Sequence, residues 1–355
     1  MSLPKNSAPS FSNNTSQFMS YFMLKFLLLA VVCLSFSCNN FRPQGIGASD
    51  TESQTKPQNS VSPDSLSITE DPLPEPPPPQ VTDTFPFPYH LENPGEKFKL
   101  PGRLNEISGL SISGDGAMLV AVNDEQGKLF YLDKNTGNVV QEFKFGKSAD
   151  YEGVEVVGDQ VYVVNSSGTL YKVNHPGEKN QETTTYRTSL QRENDVEGLA
   201  YDKAGHRLLI ACKGKAGEGD ALKEKRAIYS FDLDGEQLMK EPLFVINRQE
   251  IKVWRHREKS IARRVIGYLD ENLADDAFGP SGIAIHPLTG EVYVLSSVGN
   301  CLVVLSQAGK IIHFEALNPD LHQQPEGICF DSDGTLFLSD EARGGRAEVF
   351  KYRMK

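Results

Sequence analysis

The chain has 355 residues, with 36 Lys and Arg against 47 Asp and Glu, for a formal charge of −11. That balance argues against non-specific nucleic-acid binding, which needs a basic surface, and gives no reason for broad attraction to anionic lipid. It is compatible with cation sites built from carboxylates.

The first segment, residues 1–38, reads as a targeting signal. An apolar run from Phe26 to Phe36 follows Lys25 and ends at Ser37 and Cys38. It is shorter than the ~20 residues that cross a bilayer as a helix. A basic residue, a short apolar core and then small residues form a secretion signal. The cysteine at its end gives it the form of a lipoprotein signal, in which the Cys38 thiol receives a diacylglyceryl group and becomes the mature N-terminus. Phe36 is bulkier than the residue usual at that place, and the alternative is a membrane-anchored signal with an unmodified cysteine. The stretch before Met19 or Met23 is polar and unlike a signal start, which points to a later start codon. The expectation is an outer-membrane lipoprotein of the cell envelope, held to the membrane by its lipid.

Residues 39–84 are rich in Ser, Thr, Gln and Pro, with a cluster from Pro72 to Pro79. Such a tract cannot bury a core, and its prolines favour an extended spacer. It reads as a disordered tether leading to a folded domain over 85–355. Cys212, Cys301 and Cys329 remain in that domain. No zinc-ligand spacing occurs, so a structural zinc is not expected, and three cysteines leave at least one free thiol.

Within the domain a short motif recurs, at Glu106-Ile-Ser108-Gly109, Asp150-Tyr-Glu152-Gly153, Asp195-Val-Glu197-Gly198, Gly279-Pro-Ser281-Gly282 and Gln324-Pro-Glu326-Gly327. Its Ser/Glu positions lie 44, 45, 84 and 45 residues apart, the long interval holding one repeat plus an insertion. After each copy come a first apolar strand, a Gly- or Asp-rich turn, and alternating strands such as Met118–Val122 and Leu129–Leu132. Short β-branched and aromatic runs between such turns are strands, and four per ~45 residues make a propeller blade. The fold expected is all-β: a five-bladed β-propeller of four-stranded antiparallel blades, with six blades as the alternative. The last repeat ends at Lys355 after its third strand, and the orphan segment Glu96–Leu100 lies upstream of the first motif. An open blade edge would expose unpaired backbone groups. The N-terminal segment, near Phe98, is therefore expected to pair with Glu348–Tyr352 and close the ring.

In a propeller the first strand of each blade lines the channel, and the motif falls where that strand begins. The second strand returns to the same rim. Two polar sets therefore converge there: the motif residues Glu106, Asp150, Glu152, Asp195, Glu197, Ser281 and Glu326, and the loops Asn123–Glu125, Asn165-Ser166, Lys213, Ser296-Ser297 and Asp340-Glu341. The motif glycines allow close approach of crowded inner strands. Carboxylates facing one another repel unless something positive sits among them. Calcium suits such a place, since it takes six to eight oxygens including carbonyls and waters. Glu152, Glu197 and Glu326 are the candidate metal ligands, and Glu106, Asp195, Asp340 and Glu341 the candidate ligand-binding residues. The alternative is that each glutamate accepts backbone hydrogen bonds around a file of water.

The motif series resembles the SdiA-regulated (YjiK-like) family of bacterial envelope proteins over residues 97–355. The stretches that carry the likeness are Asp150-Tyr-Glu152-Gly-Val-Glu155, Asn194-Asp-Val-Glu197-Gly-Leu-Ala-Tyr-Asp202 and Gln324-Pro-Glu326-Gly-Ile. The resemblance implies a five-bladed propeller with bound calcium and places Glu152, Glu197 and Glu326 at acidic motif positions. Where the family often carries charged residues after the second strand of blade two, this chain has Asn165-Ser166-Ser167-Gly168, so that loop is assigned no ligand.

The insertion from Glu250 to Tyr268 carries Lys252, Arg255, His256, Arg257, Lys259, Arg263 and Arg264 around Trp254. It reads as a solvated helix or hairpin balancing an acidic protein, or as a basic flap over the acidic rim. The function expected is a non-catalytic calcium-binding envelope module that recognises a ligand or protein partner. The alternatives are a calcium-dependent phosphoesterase and a scaffold that only presents loops. No Gly-x-Ser-x-Gly elbow and no motif histidine supports catalysis.

Overall fold

A computed structural model of the protein describes residues 85–257 and 277–355. The signal and tether expected over 1–84, Cys38 included, lie outside the described residues, as do residues 258–276 of the insertion.

The strands fall into five antiparallel sheets. Blade 1 is β2 (Ile107–Ile112), β3 (Met118–Asn123), β4 (Lys128–Asp133) and β5 (Val139–Lys144). Blade 2 is β6 (Tyr151–Val157), β7 (Gln160–Asn165), β8 (Thr169–Asn174) and β9 (Glu182–Arg187). Blade 3 is β10 (Val196–Asp202), β11 (Arg207–Cys212) and β12 (Lys225–Asp232), with the outer place shared by β13 (Gln237–Leu238) and β14 (Phe244–Asn247). Blade 4 is β15 (Gly282–Ile285), β16 (Val292–Ser296), β17 (Cys301–Leu305) and β18 (Ile311–Ala316). Blade 5 is β19 (Pro325–Phe330), β20 (Leu336–Asp340) and β21 (Glu348–Tyr352), completed by β1 (Glu96–Lys99). The structure is thus a five-bladed β-propeller.

The closure follows the sequence expectation. Strand β1 pairs antiparallel with β21, Phe98 opposite Val349 and Glu96 opposite Lys351. Residues 85–95 add a strap that the repeat pattern does not contain. Tyr89 donates its hydroxyl to the Gly334 carbonyl at 2.6 Å and meets His286 Nε2 at 3.0 Å. The Phe87 ring stacks on His313 at 4.4 Å, and Tyr352 donates to the Leu91 carbonyl at 3.1 Å. The strap thereby fastens blade 4 to blade 5.

The core is a set of apolar layers at the blade-to-blade junctions rather than one central mass. Val120, Leu129 and Tyr131 of blade 1 meet Val154, Val161 and Val163 of blade 2. Leu110 and Phe130 of blade 1 meet Phe337 and Val349 of blade 5. The alternation of each strand supplies one apolar face to each neighbour, which is why the blades read as strongly apolar. Cys212, Cys301 and Cys329 are all free and buried in these layers.

The inner strands crowd the axis, and the motif glycines make room. A methyl group on Gly109 would fall 2.7 Å from Val154 N, and one on Gly327 would fall 2.8 Å from Leu110 Cβ. These two contacts join blade 1 to blade 2 and blade 5 back to blade 1.

The described part of the insertion is the helix Arg248–Arg257, which packs on β14 and β18. Ile251 and Trp254 are buried there. The Arg255 guanidinium donates to the carbonyls of Gly299 and Ala277, each at 2.9 Å, and lies 5.3 Å from the Phe314 ring. This part is a staple between blades 3 and 4, neither a solvated helix nor a flap over the channel, because its apolar and aromatic side chains find cover against β18.

Candidate functional site at the channel mouth

A register shift opens the inner strand in four of the blades. In blade 2, Tyr151 pairs with Asn165 and Gly153 with Val164, which leaves Glu152 as the extra residue. The same shift leaves Glu197 unpaired between Val196 and Gly198, and Glu326 between Pro325 and Gly327. In blade 1 it spans Ile107 to Leu110 and contains Ser108. A bulge bends the strand and re-aims the extra side chain. Here it turns the Ser/Glu position toward the axis, and Ser108, Glu152, Glu197, Ser281 and Glu326 line one cavity of ≈ 10 Å³. That is about the room of a single water.

The three glutamates come together as expected, and they are not alone. Glu197 and Glu326 are each only 8 % exposed. Lys213, the residue just after β11, places Nζ 2.9 Å from Glu197 Oε1. Burial, then the charges of Glu197, Asp150 and Glu326, hold the Glu152 carboxyl far above the usual carboxylate range. Burial and Glu197 push Glu326 up to about 8. Burial raises Glu197 as well, against the pull of Lys213. Burial alone would depress Lys213, but Glu197, with Glu326 and Asp195, outweighs it and raises the ammonium above the ordinary lysine value.

The other candidates divide. Glu106 and Glu341 stand on the rim around Asp124, whose carboxyl is raised by burial and then by Glu106, Glu125 and Glu341. Asp124 Oδ1 is buried without a hydrogen-bond partner. Glu341 accepts from Gln324 Nε2. Asp195 sits in the left-handed region at φ 49°, closing the short 3-10 turn Arg192–Asn194 ahead of β10, and the Asp195 carbonyl takes the Lys213 N–H at 2.8 Å. Asp340 is turned inward and is 5 % exposed. Its carboxylate meets His322 Nδ1 at 2.9 Å and accepts from Gln324 N at 3.3 Å, while His322 Nε2 meets Tyr352 Oη at 2.8 Å. Asp340 therefore ties the rim to the buried network beneath it.

Two contributors were not assigned from sequence. Lys213 stands among rim loops whose counterparts are Asn, Ser, Asp and Glu, and that odd charge is the signal that marks it. Glu155, three residues beyond Glu152, accepts from Ser111 Oγ at 2.8 Å, Val156 N at 2.9 Å and Tyr201 N at 3.2 Å, and so clips blades 1, 2 and 3 inside the ring. Among the described residues no three His, Cys, Asp or Glu side chains form a ready-made metal cage. What the mouth offers is hard oxygen donors, carboxyls that burial and one another's charge hold toward the protonated form, with one ammonium, Lys213, among them.

Fold and site together define a five-bladed propeller with an acidic, nearly closed channel mouth. The SdiA-regulated family model matches residues 89–219 and 240–343, and the chain belongs to that family. No curated protein matches the chain. Among solved structures it is similar to the glutaminyl cyclase of Myxococcus xanthus, at 13 % identity and a TM-score of 0.49, covering 74 % of this chain and 96 % of that one. It is also similar to the PQQ-bound aldose sugar dehydrogenase of Streptomyces coelicolor, at 12 % identity and a TM-score of 0.43, covering 74 % and 98 %. Virginiamycin B lyase from Staphylococcus aureus aligns at 10 % identity and a TM-score of 0.40, covering 73 % and 70 %. At this distance none of them informs on activity.

Proposed function

We propose that this protein is a lipid-anchored, non-catalytic recognition module of the cell envelope that holds calcium at its acidic channel mouth and meets a ligand or protein partner on the surrounding rim. The observation that carries this reading is Glu152. Its carboxylate accepts no hydrogen bond from the described residues, and it faces Glu197, Asp150 and Glu326. One ammonium, Lys213, offsets one of these charges. A divalent cation with waters in its shell would draw the remaining carboxyls toward the ionised form and offset two of their charges, and carboxylate oxygens select calcium or magnesium over zinc. Glu152 and Glu326 would be the main ligands, and Glu197 would be shared with Lys213. The ion would supply positive charge and oxygen coordination. The chain's own residues set the aperture, through the bulges, and the selectivity, through Lys213.

The rim residues Glu106, Asp195 and Glu341 surround this point and would frame the ligand, while Asp340, turned inward onto His322, would hold the rim in place. A phosphoesterase acting through a serine would need that hydroxyl activated by a base. The Ser281 hydroxyl at the mouth donates to the Pro325 carbonyl at 2.7 Å and is not paired with a base. The anchor rests on Cys38 at the end of the apolar run, followed by a proline-rich tether.

Calorimetric titration of the metal-stripped full chain with calcium tests the site. Saturable binding with a rise in melting temperature is expected, by mass action on the folded state. An absence of both at millimolar calcium would remove the reading. Mass spectrometry of the mature N-terminus should find an acylated Cys38, and a mature chain beginning elsewhere would remove the anchor.

A further inference from the structure

The face opposite the mouth carries a second cavity, of ≈ 400 Å³, at the junction of blades 1 and 5. That lies within the roughly 300–1,000 Å³ typical of small-ligand sites. Lys134 reaches it from the β4–β5 turn, Lys351 from β21, and Arg353 from the residues just after β21. Asp331 and Asp333 reach it from the β19–β20 turn.

The carboxylates are committed to their own neighbourhood. Asp331 Oδ2 takes Lys134 Nζ at 2.5 Å, and its Oδ1 takes Ser332 N at 2.8 Å. Asp333 Oδ1 takes Thr335 N at 2.8 Å, which, with the Thr335 side chain, holds its carboxyl below the usual value.

The cations keep donors in reserve. An ammonium has three protons and a guanidinium five. Lys134 uses two, on Asp331 and on the Gly116 carbonyl at 2.7 Å. Lys351 is 9 % exposed and uses two, on Asn135 Oδ1 at 3.0 Å and Glu96 Oε1 at 3.3 Å. Arg353 makes one described contact, with Glu96 at 3.4 Å, and is otherwise open to the groove. Three cations with spare N–H groups thus border one cavity whose acids are already satisfied.

We propose that this groove is an oxyanion site for a phosphate group, held by Lys134, Lys351 and Arg353. Charge-assisted hydrogen bonds from ammonium and guanidinium groups suit a phosphate's several oxygens, and Arg adds a planar fork that a lysine lacks. The phosphate can belong to a soluble phosphate ester or to a lipid headgroup. The strap runs beside this face, since Lys355 N donates to the Pro88 carbonyl at 2.9 Å. The site shares no residue with the acidic mouth and stands whether or not calcium binds there.

The test uses the unlipidated full chain, inorganic phosphate followed by calorimetry and melting, and co-sedimentation with phosphatidylglycerol against phosphatidylcholine vesicles. Arg353→Glu is the main variant, because Arg353 has an exposed side chain, and Lys351→Met the second. Inorganic phosphate should bind the parent chain and raise its melting temperature. Arg353→Glu should weaken that binding by about tenfold or more, as expected for losing a charge-assisted contact and adding a repulsive one. Glu152→Gln should leave it unchanged. Phosphate binding together with Arg353-dependent sedimentation on phosphatidylglycerol assigns the headgroup, and phosphate binding without sedimentation assigns a soluble ester. No binding of inorganic phosphate, or equal binding by Arg353→Glu, overturns the site whatever the vesicles show.

Discussion

Lys213 Nζ stands 2.9 Å from Glu197 Oε1, and the Glu197 side chain is almost wholly enclosed. A buried carboxylate therefore depends on one ammonium that reaches it from the next strand. Replacing Lys213 with Met keeps the aliphatic stem and removes the charge. The variant should lose about 2 kcal/mol at neutral pH, less than the full cost of a broken buried pair because Lys213 is partly open to water. The loss should shrink at about pH 5, well below the value of about 7 to which burial raises Glu197, and grow as pH rises. Urea unfolding at both pH values checks this. An equal loss at the two would argue that Lys213 acts through packing alone.

The channel carboxylates set a pH dependence of definite sign. Their folded pKa values are raised, Glu326 to about 8 and Glu152 further, both chiefly by burial. Such groups contribute stability that is fully present below the unfolded carboxylate value and is lost as pH rises through the folded one. The calcium-free protein should therefore weaken steadily from about pH 5 to pH 9. Glu152→Gln should flatten that slope and gain about 1–2 kcal/mol at the alkaline end. Stability that climbed over this range would contradict the placement of these charges.

Crowding at the axis predicts a contrast between two glycines. Gly109→Ala puts a methyl 2.7 Å from Val154 N, where only backbone could yield, whereas Gly102 has nothing within 4 Å of the same position. The first substitution should cost about 2–3 kcal/mol and the second close to nothing. Paired thermal melts read the difference, and similar values for both would show that the inner ring has slack.

The strap offers a separate test. Tyr89→Phe removes the 2.6 Å bond to Gly334 and the contact with His286 while keeping the ring, and should cost about 1–2 kcal/mol. Deleting residues 85–99 should do more, since it bares the β21 edge to other chains. Size-exclusion chromatography should then show association. A monomer as stable as the parent would mean that blade 5 does not need its fourth strand.

The blade count and the closing strand were legible because the same steric demand recurs in every blade. Each inner strand begins with Ser or Glu followed by Gly, and each repeat but the last supplies its own outer strand, so the lack at Tyr352 and the surplus at Phe98 point to each other. The convergence of Glu152, Glu197 and Glu326 followed from that repeat. What occurs once leaves no period. The rim position of Lys213 followed from the repeat but its pairing with Glu197 did not, and the His322–Asp340–Tyr352 network and the Tyr89 strap rest on contacts the repeat does not relate. The bulges escaped notice because a glycine in a strand has two readings, close approach or register shift, and here both hold. Asp340 sat in a rim loop by sequence, but a buried histidine draws it inward.

The closure by β1 also constrains how the molecule comes to be. Tyr352 and Leu91, joined by a hydrogen bond, are 261 residues apart in the chain. Strand β1 precedes the other blade strands in the chain and pairs with β21, which follows them, so it is the last of these to find its place. Contacts of such long sequence separation slow folding. Until the C-terminal strand is free, four blades can form while the fifth stays incomplete with an edge uncovered, a species prone to pairing with its own kind. Refolding of the full chain should accordingly end in a slow phase reported by the environment of Tyr89 and Tyr352, and a chain ending before Glu348 should never reach it.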